Sequence, residues 1–406
     1  MSNVYHSDIY QFNKPVSSYW EATSSENLNL EKLQKDISSE IVVIGGGYTG
    51  LLCAINLIEN YNLDVVLVEA GKVGWGASSR NAGFCCLPPS KMSFKKMQSI
   101  YGKEETRKFF KNSVEGAIYT KELIKNYNID CDVSGENNFV VAHHKNKFFQ
   151  IKEQAEVYKS EFGIETKVYS KEEFDEVGHG GLEQFGAFSY KPGFAINPLK
   201  FVNGLAKHAL SKKLKIYEHT KVDKIEKENG SYFLRTNECL IKTKKIVLAT
   251  NGFYQEGLIP EIDGRVLPVI SNIIVTRPLT NEELSLHNFN TYAPIANSKN
   301  LLYYYRKLPD NRILFGTRGD FEGSDQSNQN RAIDMEKFLK NIFPKWNNLT
   351  IDYNWRGLIA LSQKLTPSIG KIDNEEIYYG FGYSGVGVSA APWTGKQLSK
   401  LVFSSN

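Results

Sequence analysis

The clearest pattern in the chain is an unbroken apolar run, Ile41-Val42-Val43-Ile44, that stops at Gly45-Gly46-Gly47-Tyr48-Thr49-Gly50. Apolar positions at Leu51, Leu52, Ala54, Ile55, Leu57 and Ile58 follow at helical spacing, and then a second run, Val65-Val66-Leu67-Val68, ends in Glu69. Short apolar runs without alternation fit strands covered on both faces, as in a parallel sheet. The order predicts strand, tight turn, helix, strand, acid.

Beyond this unit, residues 94–128 are lysine-rich with helical periodicity. Phe139–Ala142 predicts a short strand, and residues near 145–162 an amphipathic helix. Asn197-Pro198 has the form of an N-cap followed by proline in the first turn, opening a helix to about Leu210. A strand at 215–217 precedes a hairpin turning at Asn229-Gly230, and Ile246–Ala249 is expected beside Ile41–Ile44 in one parallel sheet. Residues 266–277 and 301–318 predict strands of a second sheet. Strand alternation there puts Tyr304 with Arg306 on one face and Tyr303 with Tyr305 on the other. Residues 328–346 predict a helix with a core face. Near the end, a strand (Ile377–Gly382), a glycine turn (Tyr383–Gly387) and a helix (Ala390–Val402) repeat the opening geometry.

The fold class expected is α/β (α+β overall), a Rossmann-like domain with a parallel sheet plus a second domain with a large antiparallel or mixed sheet. The expected boundaries are an arm at 1–37, a first domain from 38–130, 185–265 and 350–406, and a second from 131–184 and 266–349. In the arm, Ser17-Ser18-Tyr19-Trp20-Glu21-Ala22 carries two large aromatics. It reads either as an arm packed on the surface of the main domain or as part of an active-site rim or a partner contact.

The opening unit is built to hold a dinucleotide. Gly45 allows the tight turn, Gly47 lets a pyrophosphate approach the backbone, and Gly50 lets the helix pack closely. The helix offers free N–H groups and a positive dipole end to phosphate. Glu69 can accept hydrogen bonds from a ribose and would repel a 2′-phosphate. The segment Gly74-Trp75-Gly76-Ala77-Ser78-Ser79-Arg80-Asn81-Ala82-Gly83 then supplies hydroxyls, a guanidinium and open backbone. A simple NAD-binding domain has no need of that loop, whereas a flavin cofactor does. Pro88-Pro89 is expected to end the segment. The C-terminal glycine turn would aim a second helix N-terminus at an anionic target such as the edge of a reduced flavin.

Composition narrows the alternatives. Of 406 residues, 41% are hydrophobic and the net charge is only +4, with no basic block, so nucleic-acid binding has no support. No apolar run approaches the roughly 18 residues of a transmembrane helix. The polar start of the chain lacks an apolar signal core, and the default location is the cytoplasm. Five cysteines without a CxxC pair read as free thiols. His143-His144 has no third ligand at a suitable spacing, and no metal is expected.

Taken together, the chain resembles the D-amino-acid oxidase superfamily of FAD-dependent amine and amino-acid oxidoreductases, in the branch holding sarcosine oxidase, glycine oxidase and γ-glutamylputrescine oxidase. Four segments carry the resemblance across about residues 38–402: Gly45–Gly50 with Glu69, Gly74–Gly83, Ala249-Thr250-Asn251-Gly252, and Gly382–Gly387. It implies a discontinuous FAD domain and a substrate domain whose sheet lies over the flavin. It also implies that Val222 binds adenine through its backbone and Glu69 the ribose. Ser78 and Arg80 would contact the pyrophosphate or ring, and Gly385, Val386 and Gly387 would back the flavin. The implied cofactor set extends to Tyr48, Thr49, Ala70, Gly76, Ala77, Asn81, Gly83, Ala249, Thr250, Gly252, Gly382 and Val388. Sarcosine oxidases attach flavin through a cysteine near position 318. This chain has Arg318 there, so FAD is expected to be non-covalent.

The reaction implied is hydride transfer from the α-carbon of a neutral amine or N-substituted amino acid to flavin N5. The imine is then hydrolysed and electrons pass to molecular oxygen or another carrier. Tyr304 and Tyr383 are candidates for apolar walls around the amine. Arg306 and Arg356 are candidates to bind a remote carboxylate, and Arg318 to promote reoxidation by oxygen. Two alternatives remain: another flavin- or NAD-dependent dehydrogenase, or an FAD-holding subunit of a larger dehydrogenase complex. The purified protein is expected to show flavin absorption bands and to release FAD on denaturation; a colourless preparation that releases none would contradict the reading.

Overall fold

Two eight-stranded sheets divide the chain in the computed structural model, which describes residues 4–24, 26, 28–87 and 94–405. The main path of the first sheet runs, from one edge to the other, Ser368–Lys371, Ile377–Phe381, Leu240–Leu248, Ile37–Ile44, Val65–Val68 and Lys215–Tyr217. All its pairings are parallel except that of the Ser368–Lys371 edge. The hairpin Val222–Glu228/Ser231–Thr236 adds antiparallel strands beside Leu240–Leu248. The unalternating apolar runs have the expected cause, because both faces of the sheet are covered. Ile41, Val43, Val65, Leu67 and Val247 face the helices Tyr48–Tyr61, Pro198–Ser211 and Gly387–Ser404. Val42, Ile44, Val66, Val68 and Leu248 face Val222, Leu258, Ile259 and Ile262.

The second sheet runs Ile351–Ser362, Val266–Thr276, Ile313–Arg318, Tyr304–Lys307, Ile295–Asn297, Asn138–Val141, Ala187–Lys191 and Glu165–Tyr169. Only the pairing of Ile295–Asn297 with Asn138–Val141 is parallel. Ala187–Lys191 and Ile351–Ser362 thus pair in this sheet, whereas the boundaries drawn from sequence put them with the first. The apolar pattern could not make that distinction, since it records burial but not which sheet provides it. One face of the second sheet packs on the helix Asp325–Ile342, through Ile274, Tyr305, Ile313 and Phe315 against Met335, Leu339 and Phe343. The helix starts at Ser324, whose side chain accepts the Ser327 N–H, and stops two residues before Pro344. The opposite face carries Ile273, Val275, Leu314 and Trp355 and packs on Tyr19, Trp20 and Ala82.

The arm therefore does more than cover a surface. Trp20 is 2% exposed and donates its indole N–H to the Asn81 carbonyl at 3.0 Å. Tyr5 donates to the Pro268 carbonyl of the second sheet, and Trp75 of the first domain donates to the Lys14 carbonyl. The arm ties the two halves together. The terminal helix begins at Gly387, earlier than expected, and contains Pro392. Proline has no N–H to offer the Val388 carbonyl four residues back, and that carbonyl accepts the Thr120 hydroxyl instead, at 3.1 Å. Pro88-Pro89 lies outside the described residues. Among the described residues no helix is long and apolar enough to cross a membrane, and no three His, Cys, Asp or Glu side chains gather as a metal site.

A buried histidine sets an acid limit on the second core. His179 is 0% exposed among Phe174, Phe289 and Phe343. Its Nδ1 accepts the Gly181 N–H, so Nε2 carries the proton and donates to the Tyr305 hydroxyl at 2.8 Å. Burial, with smaller contributions from His287 and Lys171, pushes its pKa down to about 3. The unfolded chain binds a proton below about pH 6.5 that the folded chain refuses, so this residue removes stability as pH falls through the window from about 6.5 to about 3. Thermal melts between pH 7 and pH 4 are expected to fall more steeply for the native chain than for His179→Gln, and parallel curves would show that His179 does not set this limit.

Candidate active site

The strand Ile37–Ile44 ends against the helix Tyr48–Tyr61 in a turn with no room for side chains. A Cβ on Gly50 would lie 1.9 Å from the Gly45 carbonyl oxygen, so the third glycine is required by the turn itself. A Cβ on Gly47 would lie 2.8 Å from the Ser78 Oγ. That hydroxyl accepts the Tyr48 N–H at 3.0 Å, which leaves its own hydrogen free for a ligand. Glu69 is held open towards the cavity by two amides, Gly46 N–H to Oε2 at 2.7 Å and Gly71 N–H to Oε1 at 2.8 Å. Partial burial raises its pKa, opposed by those amides.

A single continuous cavity runs from this turn to the second sheet. At one end it is lined by Glu69, Ala70, Thr220, Lys221 and Val222; in the middle by Gly45, Gly47, Tyr48, Thr49, Gly76, Ala77, Ser78, Ala249 and Thr250. The far end is lined by Phe84, Cys86, Ser271, Ile273, Ala296, Leu302, Tyr304, Arg318, Ile359 and Tyr383, with Gly385, Gly387 and Val388 of the C-terminal turn. Thr250 Oγ1 is buried here with no hydrogen-bond partner. A buried hydroxyl without a partner costs roughly 1–3 kcal/mol. This orphan, the free Ser78 hydrogen and the glycine cradle fit a long polar ligand of the FAD type, with the Glu69 end suited to a ribose and the Tyr304 end to a flat aromatic ring.

Several residues expected at the ligand have other tasks. Arg306 is directed away from the cavity: it donates to the Ile196 carbonyl at 2.7 Å and lies 5.3 Å from the Trp20 ring centre. Arg356 pairs with Asp325 at 2.9 Å, also outside the cavity. Neither lines the site: the face expected for Arg306 is right but Trp20 occupies the ground in front of it, and Asp325 engages Arg356. Arg80 lines the cavity, yet its Nε and Nη1 donate to the carbonyls of Trp75 and Arg356, and it stacks 3.9 Å from the Trp75 ring centre. Burial pushes its pKa down to about 9. The Asn81 side chain donates to the Ala77 and Ser78 carbonyls and accepts the Gly83 N–H, closing the loop on itself. Tyr48 turns its ring onto Phe201 and its hydroxyl to the Pro198 carbonyl, so it meets the cavity with its backbone. Gly83, Gly252, Gly382 and Val386 shape the surrounding turns without lining the cavity, as does Gly50.

Tyr383 lines the cavity and shares a 2.6 Å hydrogen bond with the Thr49 hydroxyl, joining the C-terminal glycine turn to the first helix. Burial raises its pKa. Tyr304 shares a 2.9 Å hydrogen bond with Ser271, and burial pushes its pKa up to about 12, so it stays protonated near neutral pH. The aromatic cluster of Phe12, Trp75 and Phe253 along the cavity, and the Ser271 hydroxyl, were not singled out from sequence. Trp75 sits inside the glycine loop and was open to notice. Phe12 and Phe253 reach the cavity through long-range packing that no local pattern records.

A glycine fingerprint facing a second sheet across one cavity fits a dinucleotide cofactor such as FAD. The family of FAD-dependent oxidoreductases named DAO matches residues 40–401, and this chain belongs to that family. The gamma-glutamylputrescine oxidoreductase of Escherichia coli (strain K12) is 29% identical over 394 residues, 95% of this chain and 89% of the relative. Among solved structures, the L-proline dehydrogenase from P. horikoshii superposes with a TM-score of 0.71 at 22% identity, covering 91% of this chain and 95% of that one. The glycine oxidase from Geobacillus kaustophilus does so with a TM-score of 0.71 at 18% identity, covering 90% and 95%. The fold expected from sequence and its cofactor, FAD, stand.

Thr250→Val replaces the orphan hydroxyl with a methyl of the same shape. The stability of the FAD-free chain is expected to hold or rise slightly, while FAD binding weakens about tenfold, or about 1.4 kcal/mol. Titration of FAD into apoprotein, beside melts of the same apoprotein, checks both; unchanged FAD affinity would show that Thr250 does not meet the cofactor.

Proposed function

We propose that the protein oxidises the C–N bond of an amine or N-substituted amino acid to an imine, which water then hydrolyses. FAD, when bound, supplies the hydride acceptor and the route of electrons to molecular oxygen or another carrier. The observation that carries the reading is the character of the cavity's far end. Phe84, Ile273, Ala296, Leu302, Tyr304 and Ile359 make it apolar and aromatic, and among the described residues no Asp or Glu lines it. Glu69, the one carboxylate along the cavity among the described residues, lies at the other end and is already engaged by two amides. A protonated amine would find no counter-charge and would be desolvated, so the site favours the neutral amine whose lone pair the oxidation needs.

In this reading the chain's own residues act mainly by position. Glu69, Ser78 and Thr250 hold the dinucleotide, and the backbone of Val222 meets the adenine end. Tyr383, fixed by Thr49, sets the C-terminal turn, so that Gly385, Gly387 and Val388 back the ring system. Tyr304 stays protonated and orients the substrate rather than removing a proton from it. The amine and amino-acid substrates in the names of the relatives support the same substrate class. We also assign the two sheets to a cofactor-holding and a substrate-holding domain.

Anaerobic mixing of the yellow protein with a panel of amines, polyamine conjugates and N-methyl amino acids is expected to bleach the flavin with at least one of them, and air to restore the colour if oxygen is the acceptor. Colour that persists with every member would refute the reading.

A further inference from the structure

We infer that the N-terminal arm is the strap that retains the cofactor, with Phe12 as its contact on the adenosine-diphosphate half. The inference concerns how the chain keeps its dinucleotide, and it stands apart from the amine reading above.

Between Tyr5 and Lys14 the arm crosses from one sheet's side of the molecule to the other's. Its start is fixed to the second sheet. Ile9 is 1% exposed and packs on Ile270 and Leu358, and the Tyr5 hydroxyl donates to the Pro268 carbonyl at 2.9 Å. Its other end is fixed to the first domain. There the Trp75 indole donates to the Lys14 carbonyl at 2.9 Å, and Asn13 shares a 3.0 Å hydrogen bond with His219. The ion pair of Lys14 with Asp325 is exposed on both sides, and such pairs contribute little. Phe12 stands between the two anchors and lines the cavity. Its ring centre lies 5.0 Å from that of Trp75 and 6.1 Å from that of Phe253, and both of these line the cavity as well.

The place of Phe12 along the cavity identifies what it covers. A Cβ on Gly71, two residues past Glu69, would lie 2.9 Å from the Phe12 carbonyl oxygen. His219, the partner of Asn13, directly precedes Thr220 and Lys221 of the cavity wall. Phe12 therefore belongs to the Glu69 half, the half suited to a ribose and a pyrophosphate. Side-chain cations there are already engaged: Arg80 donates to two carbonyls, and Lys221 pairs with Asp223 at 2.7 Å. A pyrophosphate is left to backbone amides and the Ser78 hydroxyl, hydrogen bonds for which water competes. The aromatic wall of Phe12, Trp75 and Phe253 excludes that water, and hydrogen bonds to a charged group strengthen where the local dielectric falls. The coupling runs both ways: whatever the docked arm adds to dinucleotide affinity, a bound dinucleotide adds to the docking of the arm.

The test uses the full chain. In the FAD-free protein, saturating FAD and saturating ADP are each expected to slow amide hydrogen exchange across residues 5–14 roughly tenfold. Phe12→Ala is expected to release FAD roughly tenfold faster than the native chain, read from the rise of free-flavin fluorescence after dilution, and to weaken ADP by a similar factor. Phe12→Leu is expected to recover part of both losses, and melts of the FAD-free variants to match the native melt. Exchange in the arm that ADP leaves unchanged would overturn the inference. So would FAD release at the native rate from Phe12→Ala, or a loss of FAD affinity with ADP affinity intact, which would move Phe12 off the adenosine-diphosphate half. Should FAD-free Phe12→Ala melt lower than the native chain, the exchange measurement on the native chain decides alone.

Discussion

The site depends on the close approach of the first helix to the last. A Cβ on Gly395 would lie 2.6 Å from the Thr49 carbonyl oxygen, so the two helices meet backbone to backbone at that point. The Thr49 hydroxyl in turn bonds Tyr383, at the head of the C-terminal turn. This contact brings residues more than three hundred positions apart into one cradle. It places the N-terminal ends of both helices beside the same cavity, where their unpaired amides favour negative charge. The sheet itself reinforces the arrangement: Leu240–Leu248 lies between Ile37–Ile44 and Ile377–Phe381, so the strands feeding both glycine turns share a neighbour.

The arm and the second sheet act on that cradle from outside. Trp20 bonds the backbone of Asn81, Trp355 bonds that of Arg80, and Arg80 bonds the carbonyls of Trp75 and Arg356. The glycine loop 74–83 is thus fixed by side chains from two distant segments and by its own arginine. A loop this rich in glycine would otherwise lose much conformational entropy on ordering. Its own polar residues, Arg80 and Asn81, are absorbed in the same task, which explains why they hold the loop more than they face the cavity.

The division between what was legible in the sequence and what was not follows from range. The turn Gly45–Gly50, the acid Glu69 and the apolar strands were readable because steric and burial constraints act over a few residues. Strand alternation correctly separated Tyr304 and Arg306 from Tyr303 and Tyr305, the latter pair packing on Phe315 with Phe338 or Phe343 beyond. Alternation gives a face but not the neighbour across it, and so Arg306 was expected at a ligand when Trp20 claims it; Arg356, named from its charge alone, is claimed by Asp325. Phe12 and Phe253 were invisible for the same reason. The C-terminal helix was expected three residues late, and the Thr120 hydroxyl that relieves the hydrogen bond missing at Pro392 comes from another helix.

The cavity's polar groups are distributed unevenly, and the unevenness has a physical meaning. At the dinucleotide end, charges and hydroxyls are mostly paired within the protein, with Thr250 and the Ser78 hydrogen left open. At the far end the walls are mostly apolar and aromatic, and among the described residues the guanidinium of Arg318 is the one charge there. In a low-dielectric pocket an unpaired cation is costly for the folded chain alone, and that cost falls when an anion arrives.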